Sequence, residues 1–239
     1  MTKTSDRQPM IDELRRVIKR LHYPVEVMLL CARWYAAYPL SLRHIEEMMS
    51  ERGVRVDHAT IHRWALKILP VLAKVFRHRK RPVGSSWRMD ETYILVAGRW
   101  KYRYRAVDRD GDTVDFLLTG KRDLAAARRF FERAINLHDL PISITIEKSG
   151  ANTAAINSVI ADTGAEVLLR QSKYLNNRVE QDHRAVKRIT RPMLGFKAFR
   201  SAVRIIAGIE TMHMIKKGQL RCPEGQRLSA AEQFYGLAF

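Results

Sequence analysis

A mixed α/β core behind an all-α N-terminal region is the fold this sequence predicts, from three observations. Up to about residue 70, apolar residues recur at three- and four-residue spacing. From Trp87 they give way to runs rich in aromatic and β-branched residues, broken by turn formers. Beyond residue 122, short strand-like runs alternate with helical ones. With 239 residues and 46% hydrophobic content, the chain can bury a sizeable core, as one compact domain plus a smaller one.

A basic amphipathic helix is expected over residues 11–21. In PVEVMLLCARWYAAYP, residues Val25, Met28, Leu29, Ala32, Tyr35 and Ala36 share one face. Ser41 suits the N-cap of LRHIEEMMSER, and Gly53 suits its C′ position, where a positive φ costs little. Asp57 caps HATIHRWALKIL, whose inner face is Ile61, Trp64 and Ile68, and Pro70 is expected to end that helix. Two short helices joined by a Gly-containing turn, the second basic and exposing His58, Thr60, His62, Arg63 and Lys67, read as a helix-turn-helix with its recognition helix at 58–69. An ordinary helical hairpin is the other reading of this pattern. The run RHRKRP at 77–82 reads as a basic linker.

Residues 87–96, 100–107 and 113–119 are expected to form an antiparallel meander, turning at Ala97-Gly98 and at 108–111. A helix over 123–137, a strand at ISITI, a helix over 153–162, a strand at AEVLLR and a helix opening near Asn177 follow. The order βββαβαβα is that of the ribonuclease H-like fold. The domains expected are a basic helical arm at 1–22, a helix-turn-helix domain with linker at 23–81, the ribonuclease H-like core at 82–190, and a C-terminal helix and tail at 191–239. The apolar stripe Phe199, Val203, Ile206, Ile209 and Met212 of that last helix could serve as core or as an interface.

Net charge is +18, and its distribution is uneven. Residues 1–86 carry 17 Lys/Arg against 8 Asp/Glu, residues 87–169 carry 12 of each, and residues 170–221 carry 13 against 3. Two basic blocks flanking a neutral middle point to a polyanion, because each neutralised phosphate releases counterions. Cys31 and Cys222 are too few for a disulfide framework or a cysteine zinc site, and the eight histidines lack metal-ligand spacing. The N-terminal MTKTSDRQPM is polar, and no apolar run approaches the roughly 18 residues of a membrane span, so neither a signal peptide nor a membrane partner is expected. Within the neutral middle, Asp90 lies in the first strand and Glu147 directly after the fourth; Glu180, in the second basic block, opens the last core helix. In the ribonuclease H-like order these positions adjoin, and three carboxylates there suit two divalent ions about 3.5–4 Å apart, with Asp90 shared and buried. Glu91 points to the other strand face and is the weaker ligand. His183, Arg184 and Lys187 stack on the face of Glu180, where they could hold DNA phosphates. Glu180 alone could equally be a first-turn acid that offsets the helix dipole.

The stretches WRMDETYILVAGRWKYRYRAVDRDG, DFLLTGKRD, ITIEKSGAN, KYLNNRVEQDHRAVKRI, LGFKAFRSA and GIETMHMIKKGQ together resemble transposases of the insertion-sequence-six family, within the Asp-Asp-Glu group. The resemblance spans about residues 25–220. It implies a bacterial, cytoplasmic and nucleoid-associated enzyme acting on double-stranded DNA. Such an enzyme binds terminal inverted repeats, nicks transposon ends and transfers the 3′ hydroxyls to target DNA, joining replicons into cointegrates, and a homodimer is expected at the synapsed ends. Asp90 matches the first aspartate, Glu180 the glutamate, and Lys187 the basic residue seven positions later. The implied cofactor is Mg²⁺, with Mn²⁺ able to substitute. Where the family carries aspartate before Lys-Ser/Ala-x-Ala, this chain has Glu147 before Lys148-Ser149-Gly150-Ala151. An ångström of misplacement costs on the order of 100-fold in rate. That departure keeps open a catalytically decayed copy acting only as a DNA-binding repressor; a ribonuclease H-like nuclease or resolvase would leave the helix-turn-helix unaccounted for.

Overall fold

The computed structural model describes residues 10–147, 149–164, 166–172, 177–222 and 227–239, with Arg178 described in its backbone only. The element order is α1 (Asp12–Ile18), α2 (Val25–Ala37), α3 (Leu42–Ser50), α4 (His58–Arg79), β1 (Ser86–Val96), β2 (Arg99–Asp108), β3 (Thr113–Thr119), α5 (Leu124–His138), β4 (Ser143–Ile146), α6 (Gly150–Thr163), β5 (Leu168–Gln171), α7 (Asn177–Thr190), α8 (Phe199–Lys216) and α9 (Ala230–Tyr235). The chain divides into a helical unit of residues 1–80, 189–193 and 200–239, and a sheet-bearing unit of residues 81–188 and 194–199.

In the helical unit, Ser41 and His44 cap α3 reciprocally: the Ser41 hydroxyl accepts the His44 backbone N–H at 3.2 Å, and His44 Nδ1 accepts that of Ser41 at 3.3 Å. Gly53 takes φ +73° in the turn, and Asp57 accepts the Thr60 backbone N–H at 2.8 Å to start α4. This helix does not end at Pro70. It runs 22 residues with the proline inside, because Val71, Leu72 and Phe76 beyond it are buried. Proline in a helix interior costs about 3 kcal/mol, and burying large apolar side chains returns roughly 1.5–3 kcal/mol each. The RHRKRP run is therefore part helix, and Lys80 bridges to Leu220 instead of opening a free linker.

Both chain ends build this unit. A Cβ placed on Gly208 of α8 would lie 2.6 Å from Leu69 Cδ1, so glycine lets α8 approach α4. Lys216 Nζ donates to the Ala37 carbonyl at 2.8 Å, Arg79 Nη1 to that of Gly236 at 2.8 Å, and the Ile11 N–H to that of Ala238 at 3.0 Å. Ile206, Ile209 and Met212 are core, whereas Phe199 and Val203 at the start of the same helix are exposed. Helix α9 is one the sequence reading missed, although Ser229 and Glu232 form a capping box.

In the second unit, the five strands are ordered β3-β2-β1-β4-β5. β1 pairs antiparallel with β2, and β2 with β3; β4 is parallel to β1, and β5 to β4. Ala97 at φ 49° and Gly98 at φ 70° make the primed turn that a two-residue hairpin favours. On one sheet face, Trp87, Met89, Tyr104 and Ile146 pack with Phe130, Phe131 and Ile156 of α5 and α6. Three antiparallel strands, then βαβα returning parallel beside the first, is the ribonuclease H-like fold, and the helical N-terminal region precedes it. Phe196 lies along the end of the β1 hairpin, donating to the Leu95 carbonyl at 3.0 Å and accepting the Ala97 N–H at 2.6 Å.

Candidate active site

Successive residues of a strand face opposite ways, and β1 uses this at Asp90 and Glu91. Glu91 turns toward α6, where Asn152 Nδ2 donates to its Oε2 at 2.8 Å and Arg122 pairs with its Oε1. Its side chain is 6% exposed. Glu91 thereby fixes the first turn of α6, directly after the segment that carries Glu147. Burial pushes the neighbouring Tyr104 phenol up to about 12, with the charge of Glu91 acting in the same direction.

The Asp90 face is polar and covered by α7. Arg103 and Arg105 of β2 are fully buried, and Arg105 pairs in register with Asp90. The Arg105 Nε and Nη2 groups both donate to Asp182 Oδ2, at 3.0 and 2.8 Å, and Nη2 also donates to Thr113 Oγ1 at 2.6 Å. Arg103 Nη2 donates to His183 Nδ1 at 2.7 Å, and His183 Nε2 lies 3.4 Å from Asp90 Oδ2. Burial pushes the His183 imidazole below its ordinary value; the Asp90 carboxylate opposes this, and the charges of Arg103 and Arg105 reinforce it.

Asp90 is half-buried, not fully buried as expected, with a side chain 18% exposed. Met89 pairs in register with Ile146, so Asp90 and Glu147 are the next residues along two parallel neighbours about 4.8 Å apart. Ile144 and Ile146 belong to the apolar face, and continued alternation puts Glu147 on the side of Asp90. Glu180 is one turn before His183 on α7, half-exposed, with Arg184 Nη2 3.7 Å from its Oε2. Among the described residues, no three His, Cys, Asp or Glu side chains gather in a metal-holding group. Strand register thus makes Asp90 and Glu147 lateral neighbours, and Glu180 lies one helical turn from the His183 that approaches Asp90, while the three side chains are not drawn together. Like charges repel at short range, and two of the three carboxylates turn to other partners, Asp90 to His183 and Glu180 to Arg184. All three offer only oxygen donors, the set that hard divalent cations take.

His183 is buried against Arg103 and is not placed to hold a phosphate, contrary to the sequence reading, whereas Arg184 and Lys187 are exposed. In the helical unit, Arg63 and Lys67 are exposed and His62 is half-buried. His58 Nδ1 lies 3.0 Å from Glu46 Oε2, while the Thr60 hydroxyl donates to Asp57 and accepts from Arg63. Lys148 and residues 173–176, within the quoted motifs, lie outside the described residues. The sequence reading does not single out the buried Arg103 and Arg105, and it takes Asp182 only as a first-turn acid that offsets the helix dipole. A signal was present: with Tyr104 on the apolar face, alternation forces both arginines onto the other, where buried cations require anions.

A family model described as a DDE domain, of the IS240 transposase type, matches residues 84–219. The transposase for insertion sequence-like element IS431mec of Staphylococcus aureus (strain Mu50 / ATCC 700699) is 34% identical over 198 residues, covering 82% of this chain and 87% of that one. The chain belongs to the insertion-sequence-six family of transposases. The same identity and coverage relate this transposase to the one for insertion sequence element IS257 in transposon Tn4003 of Staphylococcus aureus. The HTLV-2 integrase catalytic core domain superposes loosely on the transposase, with TM-score 0.44 and 12% identity over 66% of this chain and 100% of that one. No described helix of the transposase is long and apolar enough to cross a membrane.

Proposed function

We propose that this transposase nicks the ends of its own element and joins the freed 3′ hydroxyls to target DNA, with Asp90, Glu147 and Glu180 holding Mg²⁺. The observation that carries this is the register of β1 and β4, which makes Asp90 and Glu147 lateral neighbours beneath the helix that bears Glu180. When bound, divalent ions at such a site supply a Lewis acid for the scissile phosphate and lower the pKa of the attacking hydroxyl. Asp90, flanked by the strand leading to Glu147 and by α7, suits a shared ligand. Mn²⁺, less exacting in geometry, would substitute. Exposed Lys187 and Arg184 face outward on α7 and would position the DNA backbone.

Helices α3 and α4 would read the terminal inverted repeats through His58, Thr60, His62, Arg63 and Lys67, with the basic blocks adding affinity that is independent of sequence. Synapsis of two ends calls for a homodimer, acting in the bacterial cytoplasm at the nucleoid. Footprints on the element's ends test the reader: Arg63→Ala with Lys67→Ala should lose end-specific protection while keeping nonspecific binding, and unchanged footprints would reject the assignment.

Glu147 favours a second reading, a decayed copy that occupies its repeats and represses the element. Cointegrate formation separates the two. Glu147→Asp should raise Mg²⁺-dependent strand transfer by up to about 100-fold, the cost of an ångström of misplacement. Mn²⁺ should partly rescue the native protein, and Glu147→Ala should abolish the reaction. A native protein already at full rate, with no gain from Glu147→Asp, would mean that the site is adapted to glutamate. Inactivity of both the native protein and Glu147→Asp would leave the repressor.

A further inference from the structure

We infer that His183 is a positioning residue for Asp90: its ring is set from behind by Arg103, and its Nε2–H holds one carboxylate oxygen, so that the other is presented at a fixed angle to a bound cation. This rests on the proposed role of Asp90 as a metal ligand. A guanidinium has donors and no acceptor, so at 2.7 Å Arg103 can only donate to His183 Nδ1. That nitrogen must then be the bare one. The single ring hydrogen of a neutral imidazole is therefore on Nε2, which faces Asp90 Oδ2 at 3.4 Å and has no hydrogen-bond partner among the described residues.

Neither nitrogen is left to bind a cation itself, since one lone pair faces Arg103 and the other position carries hydrogen. His183 consequently belongs behind the ligand and not among the ligands. Its rigidity is built from below: Arg103 is fully buried in β2, and the adjacent pair Asp182–Arg105 fixes the rotation of α7 by two hydrogen bonds to one carboxylate oxygen. At 3.4 Å the Nε2···Oδ2 approach is longer than an ordinary N–H···O bond of about 2.9 Å. Closing it takes a turn of the Asp90 side chain. Partners of this kind behind a metal ligand are worth about 10–100-fold in metal affinity.

Three replacements separate positioning from packing. His183→Gln keeps an acceptor for Arg103 and a donor that reaches Asp90; His183→Asn keeps the first and is too short for the second; His183→Leu keeps only volume. In the metal-free full-length protein, side-chain ¹⁵N correlation spectra should show His183, assigned by loss of its signals in His183→Gln, as the Nε2–H tautomer. Titration with Mn²⁺ should give His183→Gln an affinity close to native, and His183→Asn and His183→Leu affinities about 10–100-fold weaker, with unfolding midpoints measured alongside. The Nδ1–H tautomer would overturn the inference. So would native Mn²⁺ affinity in His183→Leu while Asp90→Asn loses binding. If Asp90→Asn itself binds Mn²⁺ as the native protein does, it is the metal reading of Asp90 that fails, a result distinguishable from the other two.

Discussion

On one face of the sheet Trp87, Met89 and Tyr104 meet the phenylalanines of α5; on the other, at the adjacent positions of the same strands, Asp90, Arg103 and Arg105 meet Asp182 and His183 of α7. Both interfaces are buried, yet they obtain different things from burial. Apolar packing is non-directional and scales with the area removed from water, so the α5–α6 face supplies stability and tolerates exchange of similar volumes. A buried ion pair loses hydration worth several kcal/mol per charge and returns little net stability, but its hydrogen bonds are directional. The α7 face thus trades stability for orientation, and it does so on the face that presents the carboxylates. Asp90 and Glu91, adjacent in sequence, divide the two tasks between them.

The comparison can be broken most sharply at the Arg105–Asp182 pair. Asp182→Ala should cost about 3–5 kcal/mol in urea unfolding, because it leaves a buried guanidinium without its carboxylate. Replacing both by leucine should return most of that stability while strand transfer stays lost; recovery of activity in the double variant would mean the pair orients nothing. Met89→Ala, on the apolar face, should cost about 2–5 kcal/mol and leave the rate per folded molecule near native. Glu91→Ala should cost about 1–3 kcal/mol by stranding the buried Asn152 amide, whereas Asp90→Ala should change stability little and abolish strand transfer. An Asp90→Ala variant that still forms cointegrates would remove the polar face from the chemistry. The smallest effect concerns pH. His183 binds a proton less readily folded than unfolded, so its contribution is present above the ordinary histidine value and is lost as pH falls through its lowered folded value. Thermal midpoints between pH 7.5 and 5 should therefore slope downward on acidification, and His183→Leu, which removes the titrating ring from among Asp90, Arg103 and Arg105, should flatten that slope.

The strand faces were legible before any coordinates because period-two alternation is local: it places Asp90 and Glu91 apart and groups Trp87 with Met89. Caps at Ser41 and Asp57 were legible for the same reason, since a side-chain acceptor three residues from its donor is written in adjacent letters. Nonlocal facts were not. Arg105 meets Asp182 across 77 residues and Arg103 meets His183 across 80, so the sequence reading left His183 facing solvent and DNA. Helix α4 outran Pro70 because tertiary burial of Phe76 overrode a local stop signal. Helix α9 carried a readable cap, but its six residues lie in a tail without a strong apolar period.

The helical unit is closed by both ends of the chain, with Gly208 against Leu69, Arg79 against Gly236 and Ile11 against Ala238. This has a genetic consequence. A single recombination crossover between two such genes, at the boundary near residue 80, would join one parent's N-terminal helices to the other parent's α8 and α9, and Gly208 would face a stranger's groove. Exchange of the proposed end-reading half therefore requires two crossovers or compatible parents. Elements with proteins threaded in this way should drift in end sequence by stepwise substitution on α3 and α4, and seldom by shuffling whole N-terminal modules.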